Sequence, residues 1–367
     1  MPIEARRPGR SASVAIGVIA CVVFAAGVGL VVPRLGASNP GPGAWWGAVL
    51  VVTGAVAACW AGLGILRSVR RRWWLVVVPG FVVVAYLALW TVGQGVAASF
   101  PAHADLGSRT PADAGLAARS VVLRTGDRVE LAGWWVPGGN GAAVVLLHGA
   151  GSTRTAVIDQ AKVLSSGGYG VLLVDARGHG ASKGRAMDFG WYGEQDVAAA
   201  VDYLVRQPSV RPDRIGVVGL SMGGEEAIGA AGSDPRIRAV VAEGATNRVA
   251  ADKGYLAAYG VRGHLQEGID WLTYAVADVL TDAPKPVALR ASVARTQADG
   301  TPTPTLLITA GDVPTEKLAA AYLSEAAPGA VEVWSVSGAT HTRGLKVDPA
   351  GWRLQVLGFL DRALGAR

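Results

Sequence analysis

Arg214-Ile215-Gly216-Val217-Val218-Gly219-Leu220-Ser221-Met222-Gly223-Gly224-Glu225-Glu226-Ala227-Ile228 runs from an apolar β-branched strand, through a serine flanked by glycines, into a stretch of helical length. Strand, G-x-S-x-G turn and helix, in that order, form the setting in which a serine nucleophile sits on a strained turn. Glycines are required two positions either side because a side chain there would collide with the tight turn. Gly180-Ala181-Ser182-Lys183-Gly184 fits the same pattern, but it lies in a polar loop with no strand leading in and no helix leaving. In a chain with 50 glycines a bare pattern match has little weight. Context therefore selects Ser221 as the candidate nucleophile and leaves Ser182 as an ordinary loop serine.

Outward from that turn, short β-branched runs alternate with amphipathic stretches, which predicts an α/β domain with a mostly parallel sheet flanked by helices. The expected strands are Arg119–Arg124 and Arg128–Val136, an opening hairpin about Gly126 and Asp127, then Ala143–Leu147, Val171–Val174, Ile215–Val218, Ala239–Ala242, Leu306–Thr309 and Val331–Val336. Helices are expected near 154–166, 193–207, 222–232, 315–326 and 351–364. The stretch 247–304 exceeds an ordinary connection of ~2–6 residues and predicts a helical insertion over the sheet's edge. Its Tyr255, Tyr259, Trp271 and Tyr274 are expected to pack against the domain, with an apolar cleft as the alternative.

A serine hydroxyl needs a positioned base, and the chain has 5 histidines. His103 and His264 fall in a linker and in the insertion, and His148 and His179 in loops whose expected job is backbone shape. His341 follows the last strand and is the candidate base. The acid should follow the penultimate strand, where Leu306-Leu307-Ile308-Thr309-Ala310 leads to Gly311-Asp312-Val313-Pro314. Asp312 is the first candidate, with Glu316 and Glu243 as rivals; its carboxylate would fix the histidine tautomer and stabilise the imidazolium. Oxyanion donors are expected from the backbone N–H of Met222 and, in the turn His148-Gly149-Ala150-Gly151, of Ala150.

From about Val121 to Leu364 the chain resembles the α/β-hydrolase superfamily, particularly bacterial members of the serine aminopeptidase and dienelactone-hydrolase-like groups. The stretches that carry the resemblance are Leu146-Leu147-His148-Gly149, Val174-Asp175-Ala176-Arg177-Gly178-His179-Gly180-Ala181-Ser182 and Gly219-Leu220-Ser221-Met222-Gly223-Gly224. It implies the α/β-hydrolase fold with an eight-stranded sheet, and a hydrolytic Ser-Asp-His triad without metal or organic cofactor. One departure is that Gly311 and Asp312 are adjacent, where the family usually places two or more residues between them. Serine in the elbow, where dehalogenases and epoxide hydrolases carry aspartate, argues against those chemistries.

The first hundred residues are of another kind. Uncharged runs of 19, 23 and 26 residues, Val14–Val32, Ala44–Leu66 and Trp73–Ala98, each suffice to cross a bilayer core, which takes about 20 helical residues. A cleaved signal peptide is the alternative for the first run, although it exceeds the usual ~7–15 residue signal core. Three transmembrane helices (about 14–32, 44–66 and 73–98), a linker at 99–119 and a hydrolase domain at 120–367 are therefore expected. Arg6, Arg7 and Arg10 precede the first span and Arg67, Arg70, Arg71 and Arg72 crowd the second loop, whereas the first loop holds only Arg34. Positive residues near span ends are retained in the cytoplasm, which places the N-terminus and second loop inside and the catalytic domain outside, on a bacterial plasma membrane.

Of 34 basic and 28 acidic residues, eight arginines and Glu4 lie before residue 100, so the remainder is near neutral and nucleic-acid binding is set aside. The 2 cysteines, Cys21 and Cys59, fall in apolar runs, which removes thiol catalysis and thiolate zinc sites from the domain. The leading expectation is a membrane-anchored serine hydrolase that cleaves a carboxylic ester or thioester of a small or lipid-like acyl substrate. A peptidase or amidase of the same fold is the runner-up, and a catalytically silent, membrane-tethered binding domain is the reading from another class.

Overall fold

The computed structural model describes residues 9–35, 40–296 and 302–365. The chain divides into two compact units, one made of the residues up to Ala102 together with Gly268–Asp282, the other of His103–Glu267 and Ala283–Arg367.

In the first unit the apolar runs form helices Arg10–Val31, Gly41–Ser68 and Trp74–Ala88, the last continuing through a π turn at Leu89–Gly93 into Gln94–Ser99. Among the described residues three helices, with their flanking turns, are long and apolar enough to cross a membrane: Arg10–Arg34, Gly41–Ser68 and Arg71–Ser99. Small residues let the first two backbones approach closely: a Cβ on Gly27 would lie 2.6 Å from Val51 N, and one on Gly54 2.6 Å from Phe24 N. Arg10 donates to Ser68 O, while Arg34 donates to Pro101 O at the opposite end of the first helix. Gly268–Asp282 contains helix Val261–Leu280 from Gly268 to its end, and in this unit Val276 Cγ1 would lie 2.8 Å from a Cβ on Gly95.

The second unit is built on an eight-stranded sheet. Its strands are β1 (Arg119–Arg124), β2 (Glu130–Val136), β3 (Ala143–Leu147), β4 (Gly170–Val174), β5 (Ile215–Leu220), β6 (Ile237–Glu243), β7 (Thr305–Ala310) and β8 (Val331–Val336). They lie in the order β1-β2-β4-β3-β5-β6-β7-β8. β2 pairs antiparallel with β1 and β4, and all other neighbours are parallel. Side chains alternate across the pleat: Val145, Leu147 and Val217 pack on one face with Val197 and Ile228, while Val144, Leu146 and Val218 pack on the other with Leu164, Trp352 and Phe359. Because both faces are covered, the central strands read as continuous apolar runs rather than alternating ones.

Several boundaries differ from the sequence reading for local reasons. β2 starts at Glu130 because Arg128 turns at φ 68. Of the segment expected as a linker, 99–119, the part from His103 on belongs to the second unit: Gly180 N donates to Ala104 O, His103 Nδ1 to Gly178 O, and Arg109 pairs with Asp159. Within 247–304 the chain forms a 3-10 helix, Ala250–Tyr259, and helices Val261–Leu280 and Leu289–Arg295. Tyr255 is buried against Ala319 and Tyr322, Tyr274 is buried, and Tyr259 and Trp271 are exposed.

Candidate active site

β5 ends in the turn that carries Ser221, whose backbone stands at φ 53 and ψ −121. The left-handed turn is enforced by crowding: a Cβ on Gly219 would sit 2.1 Å from Gly223 O, and one on Gly223 2.6 Å from His148 O. Helix Met222–Ala231 leaves directly from the serine, and Ser221 N donates to Glu243 O at the end of the neighbouring β6. The Oγ is thus lifted to the carboxyl end of the sheet.

His341 lies in the loop between β8 and the short helix Gly344–Val347. Its Nε2 is 2.9 Å from Ser221 Oγ and its Nδ1 2.7 Å from Glu316 Oε1. Nδ1–H therefore donates to the carboxylate and Nε2 is left to accept the serine proton. The Glu316 carboxylate holds the imidazole pKa above the ordinary histidine value; ring burial opposes this, and Glu225 and Glu243 add to it. Glu316 itself is 2% exposed, and its Oε2 accepts from Ala310 N at 2.7 Å.

The structure corrects the expected acid: Asp312 is exposed and is not the partner of His341. Its backbone N–H is held by Ala339 O in the turn that follows β7. Helix Pro314–Ser324 begins two residues later, and its first turn presents Glu316, whose longer side chain spans back to the imidazole. The other rival, Glu243, is buried and its two oxygens accept from Gly344 N (2.8 Å) and Trp352 Nε1 (3.0 Å), so it ties down the loop that carries the histidine. Burial raises its pKa.

The remaining sequence candidates have other partners. Ser182 Oγ donates to Asp175 O and accepts from Ala132 N. His148 accepts from Ala176 N through Nε2 and donates to Gly149 O, and burial pushes its pKa down to about 3. Asp175, fully buried, accepts from the backbone of Arg154 and Ala181 and pairs with the Arg154 guanidinium.

A cavity of about 410 Å³ opens over Ser221 and His341, bounded by Gly149, Ala150, Gln160 and Arg343 among others. Gly149 approaches Ser221 closely, since a Cβ there would lie 3.3 Å from Ser221 Cβ. Ala150 follows it at the rim, while Met222 opens the helix behind the serine.

The family model described as serine aminopeptidase, S33, matches residues 139–311. An uncharacterized protein of Mycobacterium tuberculosis is 38% identical over 122 residues, which is 32% of this chain and 43% of that protein. The thiohydrolase aneE of Aspergillus aculeatus is 38% identical over 105 residues, 28% of this chain and 33% of its own. The chain thus spans less than half the length of these curated relatives. Among solved structures, the Pyrococcus furiosus esterase Pf2001 is similar over 72% of this chain and 100% of its own, at 28% identity and a TM-score of 0.54. With the strand order and the elbow already in hand, these matches agree on an α/β-hydrolase fold, similar over 139–311 to the S33 serine aminopeptidases.

Proposed function

We propose that this chain is a membrane-anchored serine hydrolase that cleaves a carboxylic ester or thioester through an acyl-enzyme on Ser221. The observation that carries the reading is the unbroken hydrogen-bond chain from Ser221 Oγ through His341 to Glu316. In acylation Ser221 Oγ attacks the carbonyl carbon as its proton passes to His341 Nε2, and Glu316 stabilises the imidazolium so formed. The N–H groups of Met222 and Ala150 are assigned to the tetrahedral oxyanion. Collapse breaks the bond to the leaving group, which takes the proton from Nε2. Water then attacks the acyl-enzyme with the same histidine as base, releasing the acid and restoring Ser221.

Ester or thioester cleavage is favoured over aminopeptidase action by the walls of the cavity. An aminopeptidase must hold an α-ammonium, for which a buried or rim carboxylate is the natural partner. The described residues that line this cavity include Arg343 and Gln160 but no Asp or Glu. The names of an esterase and a thiohydrolase among the similar proteins support the same choice. A panel of p-nitrophenyl esters and aminoacyl p-nitroanilides tests it: turnover of the esters is expected, and exclusive turnover of the anilides would overturn it.

The three apolar helices are read as membrane spans, with the arginine-rich second loop in the cytoplasm and the catalytic unit outside. Alkaline phosphatase fused after Ala98 should be active and after Arg72 inactive; the reverse pattern would place the catalytic unit in the cytoplasm.

A further inference from the structure

A second cavity, of about 500 Å³, shares Ala156, Gln160, Thr342 and Arg343 with the one over Ser221. Its wall adds Asp159, Lys162 and Lys346. Asp159 is already engaged in a two-point pair with Arg109. Lys162 acts on Asp159 through space, while Arg343 and Lys346 have no carboxylate within ion-pairing distance among the described residues, so the wall carries a net positive charge. Gln160 stands at the junction of the two cavities. It is 7% exposed, and its side-chain oxygen is buried with no hydrogen-bond partner. A buried amide oxygen left unpaired is costly, and Gln160 lines both cavities, so a small reorientation of its side chain would bring the amide to an entering group. Which amide atom faces the cavity depends on a rotation of the group that exchanges oxygen and nitrogen. In one orientation it accepts from a substrate hydroxyl or amide, and in the other it donates to an anion.

We propose that the second cavity is a recognition subsite for an anionic group of the substrate, a carboxylate or phosphate held by Arg343 and Lys346, with Gln160 contacting the chain that joins it to the scissile carbonyl. This rests on the hydrolase reading above and narrows it from acyl compounds in general to anionic ones. Arg343 follows His341 by two residues, so the cation and the base that serves the leaving group lie on one loop. Part of the attraction acts through solvent and is screened as salt rises.

The experiment uses the full chain in detergent and two pairs of esters. One pair places the anion on the acyl side, mono-p-nitrophenyl glutarate against p-nitrophenyl butyrate. The other places it on the leaving group, butyryl 4-hydroxybenzoate against phenyl butyrate. In at least one pair kcat/KM should favour the anionic member, and Arg343→Gln with Lys346→Gln should cut that preference by about tenfold, the effect expected of losing charge-assisted hydrogen bonds. Arg206→Gln, an exposed arginine that lines neither cavity, should leave the preference as it was. The pair that responds tells which side of the bond carries the anion. Equal rates in both pairs, or a preference that survives the double substitution, overturns the subsite and leaves the hydrolase reading standing. If no ester is cleaved, binding to the Ser221→Ala protein decides the subsite separately. Monomethyl glutarate binding more tightly than methyl butyrate, with the difference abolished by the double substitution, supports the subsite, and equal binding overturns it.

Discussion

The turn after β5 and the first helical turn after β7 each bring a side chain of the candidate site to the same end of the sheet, and they do so by opposite means. At the first, backbone crowding does the positioning: Gly219 and Gly223 leave no room for a Cβ, and Ser221 is held at φ 53. At the second, a side chain does it, with Glu316 reaching from the first turn of helix Pro314–Ser324 to His341 Nδ1 and to Ala310 N. A nucleophile must sit at one point, and only the rigid turn supplies that. An orienting carboxylate can be supplied from any nearby backbone position that its side chain can span, which is why the acid has more freedom in sequence than the serine.

The largest expected effect is at the rigid turn. Ser221→Ala should lower kcat on a cleaved ester by roughly four to six orders of magnitude, leaving only the contribution of the oxyanion donors and binding. Steady-state hydrolysis by the folded variant, checked by circular dichroism, measures this. A residual rate near wild type would break the comparison at its root.

Glu316→Gln comes next, because the amide cannot stabilise the imidazolium and can select the wrong tautomer; a fall of roughly three to four orders of magnitude is expected in kcat. Asp312→Asn, at an exposed position one turn earlier, should stay within about twofold of wild type. Assaying the two side by side separates a spanning side chain from a near neighbour.

Glu243→Gln should cost less. A glutamine offers one acceptor where the carboxylate serves both Gly344 N and Trp352 Nε1, so one donor is left unpaired, at about 1–3 kcal/mol of stability. Thermal unfolding should show that loss, and kcat should fall by about tenfold as the loop carrying His341 loosens.

The smallest effect is a shift rather than a loss. In the proposed mechanism the base works when neutral, and Glu316 raises the pKa of His341, so kcat/KM should rise with pH along a limb that lies above the ordinary histidine range. In Glu316→Gln the residual activity should rise along a limb displaced to lower pH. A limb that stays in place would mean that Glu316 does not set the protonation of the base.

The same contrast explains what could be read before the structure. Ser221 is announced by contiguous residues, because the two glycines that have no room for a Cβ, Gly219 and Gly223, lie with it within five positions of the chain. His341 follows from being the histidine directly after the last strand. Glu316 is announced by no contiguous pattern. Asp312, Glu316 and Glu243 all stand near the carboxyl ends of β6 and β7, and the choice depends on where a helix starts and how far a side chain reaches. Pro314 at the first helical position was the available signal: it starts the helix early and sets Glu316 in its first turn, alongside the missing residues between Gly311 and the acid. The insertion was legible as helical but not in its allegiance. The part of helix Val261–Leu280 from Gly268 on groups with the apolar helices, and Leu265, Trp271, Leu272 and Val279 along the helix are exposed while Tyr274 is buried.

The measurement that bears most directly on the central claim is labelling by a serine-reactive phosphonate, followed in time and mapped by peptide mass. The phosphonate should attach to Ser221 in the wild type and in Asp312→Asn at comparable rates. Glu316→Gln should be labelled far more slowly and Ser221→Ala not at all. Attachment at Ser182 or elsewhere, or rapid labelling of Glu316→Gln with loss of labelling in Asp312→Asn, would contradict the assignment of Ser221, His341 and Glu316 as the working set.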